Sequence, residues 1–157
     1  WQDKFVKNVL PLRVGNDVAT IEDVMDVIEI LSSRREYTKA SPFVVLLAKG
    51  NHEVTSSWTT PNSRFCQTML GITCSNITFI GQGIGETTIL GGIGIHNRQN
   101  ITLTQLTVTN TTDIGMIMYG AVVELVDVSV ARCSGNGIFV GNTVDVFLLN
   151  SYLLGSR

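Results

Sequence analysis

Apolar and polar residues alternate along four segments in the second half of the chain, and the four segments are similar to one another. They start at Asn76, Asn100, Val122 and Asp145, so successive starts lie 24, 22 and 23 residues apart. The next position of each segment is aliphatic: Ile77, Ile101, Val123 and Val146. Two positions later come Phe79, Leu103, Leu125 and Leu148. Alternation with a period of two residues predicts a β-strand in every segment.

Each strand is followed by a bend and preceded by another strand. A small or polar residue stands five positions after each start, at Gly81, Gln105, Asp127 and Asn150. A further aliphatic set comes before the starts, at Ile95, Ile117 and Val140, with glycine or asparagine at its corners. Each repeat is therefore predicted to contain about three short strands.

A repeat of this length with three strands separated by bends is typical of a right-handed parallel β-helix. In that fold like side chains lie directly above one another, which explains why the pattern returns. We predict an all-β solenoid of about four rungs. Leucine-rich repeats have a similar period, but the leucine spacing and alternating helix typical of them are missing here.

The first third of the chain has a helical pattern. Apolar residues in ATIEDVMDVIEILSS recur at helical spacing, at Ile21, Val24, Met25, Ile28 and Leu31. Thr20 and Asp23 form a capping-box-like start. We expect this helix to cap the first rung of the solenoid. The prediction is a single domain over 1–157, with the N-terminal segment and capping helix in 1–40 and the rungs in 41–157.

Two segments connect the helix to the repeats. SPFVVLLAKGNHEV predicts a buried strand from Phe43 to Ala48 that ends in a turn at Gly50 and Asn51. The polar segment TSSWTTPNSRFCQ is expected to loop outward before the chain returns at MLGIT.

Composition excludes several classes of partner. Apolar residues make up 44% of the chain and charged residues 15%, which is typical of a globular domain. Eleven basic and thirteen acidic residues give a net charge of −2, which argues against nucleic acid as a partner. No apolar stretch is long enough to predict a membrane span.

Cysteines and sequons suggest a secreted or cell-surface protein. Cys66 and Cys74 are close enough in sequence to close a small disulfide loop, whereas Cys133 is expected to be a small buried hydrophobic residue. Three sequons are glycosylation candidates: Asn76, Asn100 and Asn110. Asn110 is the best of them, because TNTTD reads as a polar turn. The alternative interpretation is reduced core thiols, with Asn and Thr serving turns and strands.

The segments TIEDVMDVIEIL, VVLLAKGNHEV and NITFIGQGIGETTILGG occur in an order that resembles the start of the pectin lyase-like proteins, most closely the pectinesterase-type members. The resemblance implies polysaccharides as the substrate class. Motifs of the QDTLY and DFIFG kind, which carry the catalytic aspartates in that family, are absent. The nearest segment, NGIFVGN, has Asn136 and Gly137 where an aspartate would be needed. An amide is neither a nucleophile nor a general base, so the esterase mechanism is not predicted.

A polysaccharide lyase is the other enzymatic alternative, and it would need clustered carboxylates to hold calcium. The available carboxylates are spread over different strand positions, at Asp113, Glu124, Asp127 and Asp145. They are expected to be solvated residues of turns and faces. No cofactor is predicted outside the lyase alternative.

Four residues on successive rungs are candidates for ligand binding: His96, Arg98, Tyr119 and Asn142. His96 should point outward because Ile95 points inward, and aromatic and amide groups suit sugar hydroxyls. MIMY, GIFV and DVFLL are apolar on both alternating sides, so we expect the helix region, another domain or a second copy to cover them. SYLLGSR carries no capping pattern, so more rungs or an end-to-end neighbour, and with it a filament, are expected there.

The sequence thus predicts a non-catalytic extracellular β-helix module, structural or carbohydrate-contacting, that packs against a polysaccharide, another protein chain or itself. The alternative is a carbohydrate-active enzyme, pectinesterase-like or lyase-like, acting on an acidic polysaccharide.

Overall fold

The protein is a parallel β-solenoid of about four turns with one helix near its N-terminal end, as the repeat predicts. The structure is a computed structural model and describes residues 11–32, 37–142 and 144–153. The described part contains no helix long and apolar enough to cross a membrane.

Three stacks of parallel strands form the faces of the solenoid. The first face consists of β1 (Leu12–Val14), β2 (Phe43–Leu47), β7 (Ile77–Ile80), the first halves of β10 (Ile101–Thr109) and β12 (Val122–Val130), and β14 (Asp145–Leu149). The second consists of β3 (Gly50–Glu53), β8 (Thr87–Leu90), the second halves of β10 and β12, and β15 (Tyr152–Leu153). The third consists of β6 (Met69–Ile72), β9 (Gly92–His96), β11 (Met116–Tyr119) and β13 (Ile138–Gly141).

The register of the first face confirms the predicted alignment. Ile77 pairs with Ile101, Ile101 with Val123, and Val123 with Val146, all in parallel. The column two positions later is also in register, from Phe79 to Leu148. Ile77, Phe79, Ile101, Leu103, Val123 and Leu125 are almost completely buried. Stacking therefore gives the chain one continuous core.

The third face differs from the prediction by one residue. Met118 pairs with both Ile95 and Val140, so Met118 occupies the inner column where Ile117 was expected. Ile117 pairs with Gly94 and Phe139 and packs in a separate, outer cluster. Because MIMY is apolar at every position, alternation alone does not fix which side faces inward.

The bends between the first and second faces use left-handed backbone, as the polar column suggests. Gln105, Asp127 and Asn150 have φ values of 60°, 54° and 51°. Gly81 reaches the same corner without positive φ, and a Cβ there would overlap the Gln105 carbonyl oxygen. Glycine is needed at that position because the next rung passes too close for a side chain.

The helix α1 (Asp23–Ser32) covers the first rung. Its N-terminus carries the predicted capping box, since the Asp23 carboxylate accepts from the Thr20 N–H at 3.0 Å and the Thr20 hydroxyl accepts from the Asp23 N–H at 3.3 Å. Ile21, Val24 and Ile28 are buried in the same cluster as the strand residues. The short strand β1, which pairs with β2, was not predicted.

The opposite end of the stack is open in the described residues. Val140, Leu148 and Leu153 continue the inner columns but are 50%, 55% and 53% exposed. End-to-end self-association through this surface stays a prediction.

The strand after the helix ends one residue earlier than predicted, at Leu47, and Gly50 begins β3 instead of lying in a turn. The chain bends at Lys49, and β3 then pairs with β8 on the second face.

Candidate functional site

The segment expected to be an irregular loop forms an antiparallel hairpin, β4 (Trp58–Thr59) and β5 (Phe65–Cys66), so that prediction is wrong. The hairpin folds over the outside of the third face. A Cβ added to Gly71 or to Gly94 would overlap the Trp58 ring, which therefore lies directly on these two glycines. The hairpin, rather than the helix region, another domain or another copy, covers Ile117.

A cleft of about 410 Å³ opens between the turn of this hairpin and the outer surface of the third face. Its lining comes from three separate parts of the chain: Thr60, Asn62 and Arg64 from the hairpin, Ile114, Ile117 and Tyr119 around β11, and Gly135, Asn136 and Phe139 around β13. The solenoid brings the second and third groups together because β11 and β13 are adjacent strands.

Two aromatic rings form one side of the cleft. The Tyr119 and Phe139 ring centroids are 6.0 Å apart and their planes are inclined by 59°. Tyr119 lies over Gly141, where a Cβ would overlap the phenol ring. Phe139 is 39% exposed, so part of its ring faces solvent. The rings offer an apolar surface with a phenol hydroxyl at its edge.

The hairpin turn is fixed by its own hydrogen bonds. The Thr60 hydroxyl accepts from the Arg64 N–H at 2.9 Å, and the Thr60 N–H donates to the Arg64 carbonyl oxygen at 2.8 Å. The Thr60 hydroxyl also donates to the Asn62 side-chain oxygen. These contacts set the position of the polar side chains along the rim of the cleft.

An ion pair ties the turn to the solenoid. Arg64 Nη2 lies 2.8 Å from Asp113 Oδ1, and the Ile114 N–H donates to the same oxygen at 2.8 Å. The Asp113 side chain is only 16% exposed, whereas that of Arg64 is 49% exposed. The carboxylate is therefore held in place from two sides while the guanidinium stays accessible from the cleft.

The lining suits binding better than acid–base chemistry. Among the described residues, it contains amide, hydroxyl, guanidinium and aromatic groups but no carboxylate or imidazole. Among residues 11–32, 37–142 and 144–153, no three His, Cys, Asp or Glu side chains come close enough to hold a metal ion.

One of the four residues predicted to bind a ligand belongs to the described lining of the cleft. Tyr119 lines the cleft, and His96 is its exposed neighbour on β9 but does not line it. Asn142 is exposed at a corner with φ of 60°. Arg98 lies in the segment after β9, where its Nε is buried and has no hydrogen-bond partner among the described residues. The sequence missed Thr60, Asn62, Arg64 and Phe139, although TTPNSR carries the turn residues of a hairpin.

The remaining predicted carboxylates are not clustered. Glu124 is exposed on the outside of the first face, and Asp145 is exposed at the start of β14. Asp127 occupies its left-handed corner.

The predicted disulfide is wrong, because Cys66 and Cys74 are free thiols that pack in different apolar clusters. Cys66, on β5 of the hairpin, is completely buried in the outer cluster with Ile117, whereas Cys74 packs against the main core. Burial raises the pKa of Cys74 to about 11, against the opposing effect of Arg98. Cys133 is buried in the core as predicted, and burial raises its pKa too.

The sequon asparagines have structural roles. Asn110, the preferred glycan candidate, is 1% exposed, whereas Thr111 and Thr112 after it are exposed in the predicted polar bend. Its Nδ2 donates to the Ile114 carbonyl oxygen at 2.8 Å, and its Oδ1 accepts from the Thr112 hydroxyl at 2.9 Å. Asn76 and Asn100 are half-buried and stack on each other, with Asn100 Nδ2 donating to Asn76 Oδ1 at 2.8 Å.

Comparison with protein-family models and with curated proteins finds no match for this chain. The fold is a parallel β-solenoid, and membership of the pectin lyase-like superfamily stays a prediction.

Proposed function

We propose that the protein is a non-catalytic carbohydrate-binding module, and that the cleft between the β4–β5 hairpin and the third face is its binding site. The observation that carries the proposal is the pairing of Tyr119 and Phe139 beside a rim that carries the side-chain amides of Asn62 and Asn136 and the guanidinium of Arg64. Aromatic surfaces accept the apolar face of a sugar ring, while the rim groups bond its hydroxyls.

The rigidity of the surroundings supports the same proposal. Tyr119 lies on a strand paired on both sides, and the hairpin turn is held by internal hydrogen bonds and by the Arg64–Asp113 ion pair. A preformed site loses little conformational entropy when a ligand binds. The part of the lining that the structure describes offers no carboxylate or imidazole for acid–base chemistry, which favours binding over the esterase or lyase alternative.

Screening of the protein on an array of neutral and acidic oligosaccharides, followed by calorimetric titration, tests the proposal. We expect Phe139→Ala to weaken binding of any hit by about tenfold or more, since truncation of an aromatic residue at the centre of a binding site typically costs about 2 kcal/mol. Phe147→Ala is the matched control, because Phe147 is a 57% exposed ring on the outside of the first face.

The same titration separates the cleft from the site predicted by sequence. His96→Ala should leave affinity unchanged, because His96 is exposed on β9 outside the cleft. Failure of every sugar to bind the wild type, or an equal loss in Phe139→Ala and Phe147→Ala, would contradict the proposal.

A further inference from the structure

The charges at the cleft determine which class of sugar it binds best, given the carbohydrate-binding function proposed above. Arg64 is the one charged side chain in the described lining. Its guanidinium is ion-paired with Asp113 at 2.8 Å, so the two charges sum to zero. The whole chain carries a net charge of −2, which adds no attraction for an anion.

We infer that the cleft selects neutral sugars over uronates, and that Asp113 is the residue that sets this preference. Asp113 does not line the cleft, so it acts through Arg64 as a positioning and charge-compensating residue.

The geometry leaves a uronate two ways to reach Arg64, and both are unfavourable. Displacement of Asp113 would leave a carboxylate that is only 16% exposed without its ion-pair partner. Binding to the free edge of the guanidinium would instead place a second carboxylate close to Asp113, and the two negative charges would repel each other.

Asp113 cannot move away easily, because it is anchored independently of Arg64. Its Oδ1 accepts from the Ile114 N–H at 2.8 Å, and Ile114 is 6% exposed. The pair also lies beside Cys66, whose pKa is raised by burial and further by Asp113, and lowered by Arg64. A neutral sugar meets none of these charge effects, and the guanidinium N–H groups that do not contact Asp113 can donate to its hydroxyls.

Matched pairs of oligosaccharides test the inference: tetramers of glucose, galactose and mannose against tetramers of the corresponding uronic acids with the same linkage and anomeric configuration. Each pair differs at C6 alone, so a difference in affinity reports the carboxylate. For any configuration that binds, we expect the wild type to bind the neutral tetramer about tenfold or more tightly than the uronate.

Asp113→Asn should change that ratio in one direction. Asparagine keeps an oxygen that can accept from the Ile114 N–H, but it no longer compensates the positive charge of Arg64. The affinity for uronates should therefore rise about tenfold, while the affinity for neutral tetramers stays within about twofold. The gain should shrink as NaCl is raised to about 0.5 M, because salt screens a half-exposed charge. Asp145→Asn, which removes an exposed charge from β14, should change neither affinity.

The possible results are distinguishable. If no sugar binds the wild type, either on the array or among the tetramers, the proposed function fails. Tighter uronate binding by the wild type would overturn the inference and leave the proposed function standing. If Asp113→Asn loses affinity for both neutral tetramers and uronates, then Asp113 maintains the shape of the cleft and does not set its charge preference. That result would also overturn the inference. In the double variant Arg64→Gln, Asp113→Asn, the uronate gain should disappear.

Discussion

At the scale of single residues, Asn110 stands out because its side chain makes several hydrogen bonds at the corner between the second and third faces. Its amide bonds the Ile114 carbonyl oxygen on one side and both the Thr68 and Thr112 hydroxyls on the other. Because the group is buried, any replacement that leaves those partners unpaired is costly.

We expect Asn110→Ala to lower the free energy of unfolding by about 1 to 3 kcal/mol, because buried hydrogen-bond partners lose their amide. Denaturant unfolding followed by circular dichroism measures the change. Thr111→Ala is the control in the adjacent exposed position and should cost less than about 0.5 kcal/mol. Equal effects of the two substitutions would contradict the burial of Asn110.

The cysteines give a second residue-scale prediction, which concerns pH. Burial raises the pKa of Cys74 from the ordinary 9.0 to about 11, so the thiol is neutral in the folded state over a range where the unfolded chain ionises. The stabilising contribution of this group is full below pH 9 and is lost as pH rises from 9 to 11. Stability should therefore fall over that window, and the fall should be shallower in Cys74→Ala.

Thiol titration provides the measurement that accompanies the pH series. The native protein should react slowly with a thiol reagent at pH 8, because a neutral buried thiol is a poor nucleophile, whereas all three cysteines should react after denaturation. Recovery of fewer than three thiols from the denatured, unreduced protein would contradict the free cysteines of the structure.

At the scale of elements, the hairpin determines the shape of the cleft. Trp58 packs on Gly71 and Gly94 of two neighbouring strands, and this contact holds β4 and β5 against the third face. The hairpin in turn places Thr60, Asn62 and Arg64 at the rim. A stable hairpin is thus a condition for the site, although Trp58 does not line it.

We expect Trp58→Ala to open the hairpin while the solenoid stays folded, because the ring packs on the outside of the strands and not in the main core. Hydrogen exchange followed by mass spectrometry should show faster exchange in residues 58–66 and unchanged exchange in β10. Phe65→Ala is the matched control on the same hairpin, since Phe65 is 59% exposed. Protection of 58–66 that survives in Trp58→Ala would refute the role of the ring.

How well the sequence predicts each strand depends on how strictly apolar and polar residues alternate in it. The first face was predictable because Ile77, Ile101 and Val123 repeat under one another with polar residues between them. The register of β11 was not, because both alternating sides of MIMY are apolar. The alternating pattern of MIMY fits equally well whether Ile117 or Met118 faces the core, and in the structure Ile117 is the residue that faces outward.

The site was less predictable than the fold, because it depends on contacts between distant parts of the chain. Trp58 packs on two glycines of the third face, Gly71 and Gly94. The residues next to Trp58 and next to these glycines form no motif that would predict the contact. Cys66 and Cys74 are near in sequence, yet the hairpin carries Cys66 into the outer cluster while Cys74 packs against the main core. Short-range spacing therefore misassigned the pair and missed the cleft.

At the scale of the whole molecule, the two ends of the solenoid are unequal. The N-terminal end is covered by α1, and the carboxylate of Glu22, the residue just before the helix, accepts from the Ser56 N–H at 2.8 Å. At the other end, β14 pairs with β12 alone in the described chain, and core-facing side chains meet solvent. Because each rung of a solenoid is stabilised mainly by its neighbours, local stability should decrease toward the open end.

A pair of leucines in one column tests this gradient. Leu125 and Leu148 are direct register partners in β12 and β14, but Leu125 is 1% exposed and Leu148 is 55% exposed. Leu125→Ala leaves a cavity between rungs and should cost about 2 to 5 kcal/mol, whereas Leu148→Ala removes a half-exposed side chain and should cost about 1 kcal/mol or less.

Urea unfolding curves of the two variants give these differences, and hydrogen exchange should show β14 amides exchanging before those of β10. If Leu148→Ala costs as much as Leu125→Ala, Leu148 is buried in solution. The open end would then be covered by something outside the described residues, and an increase of the Leu148→Ala cost with protein concentration would identify a second copy as the cover.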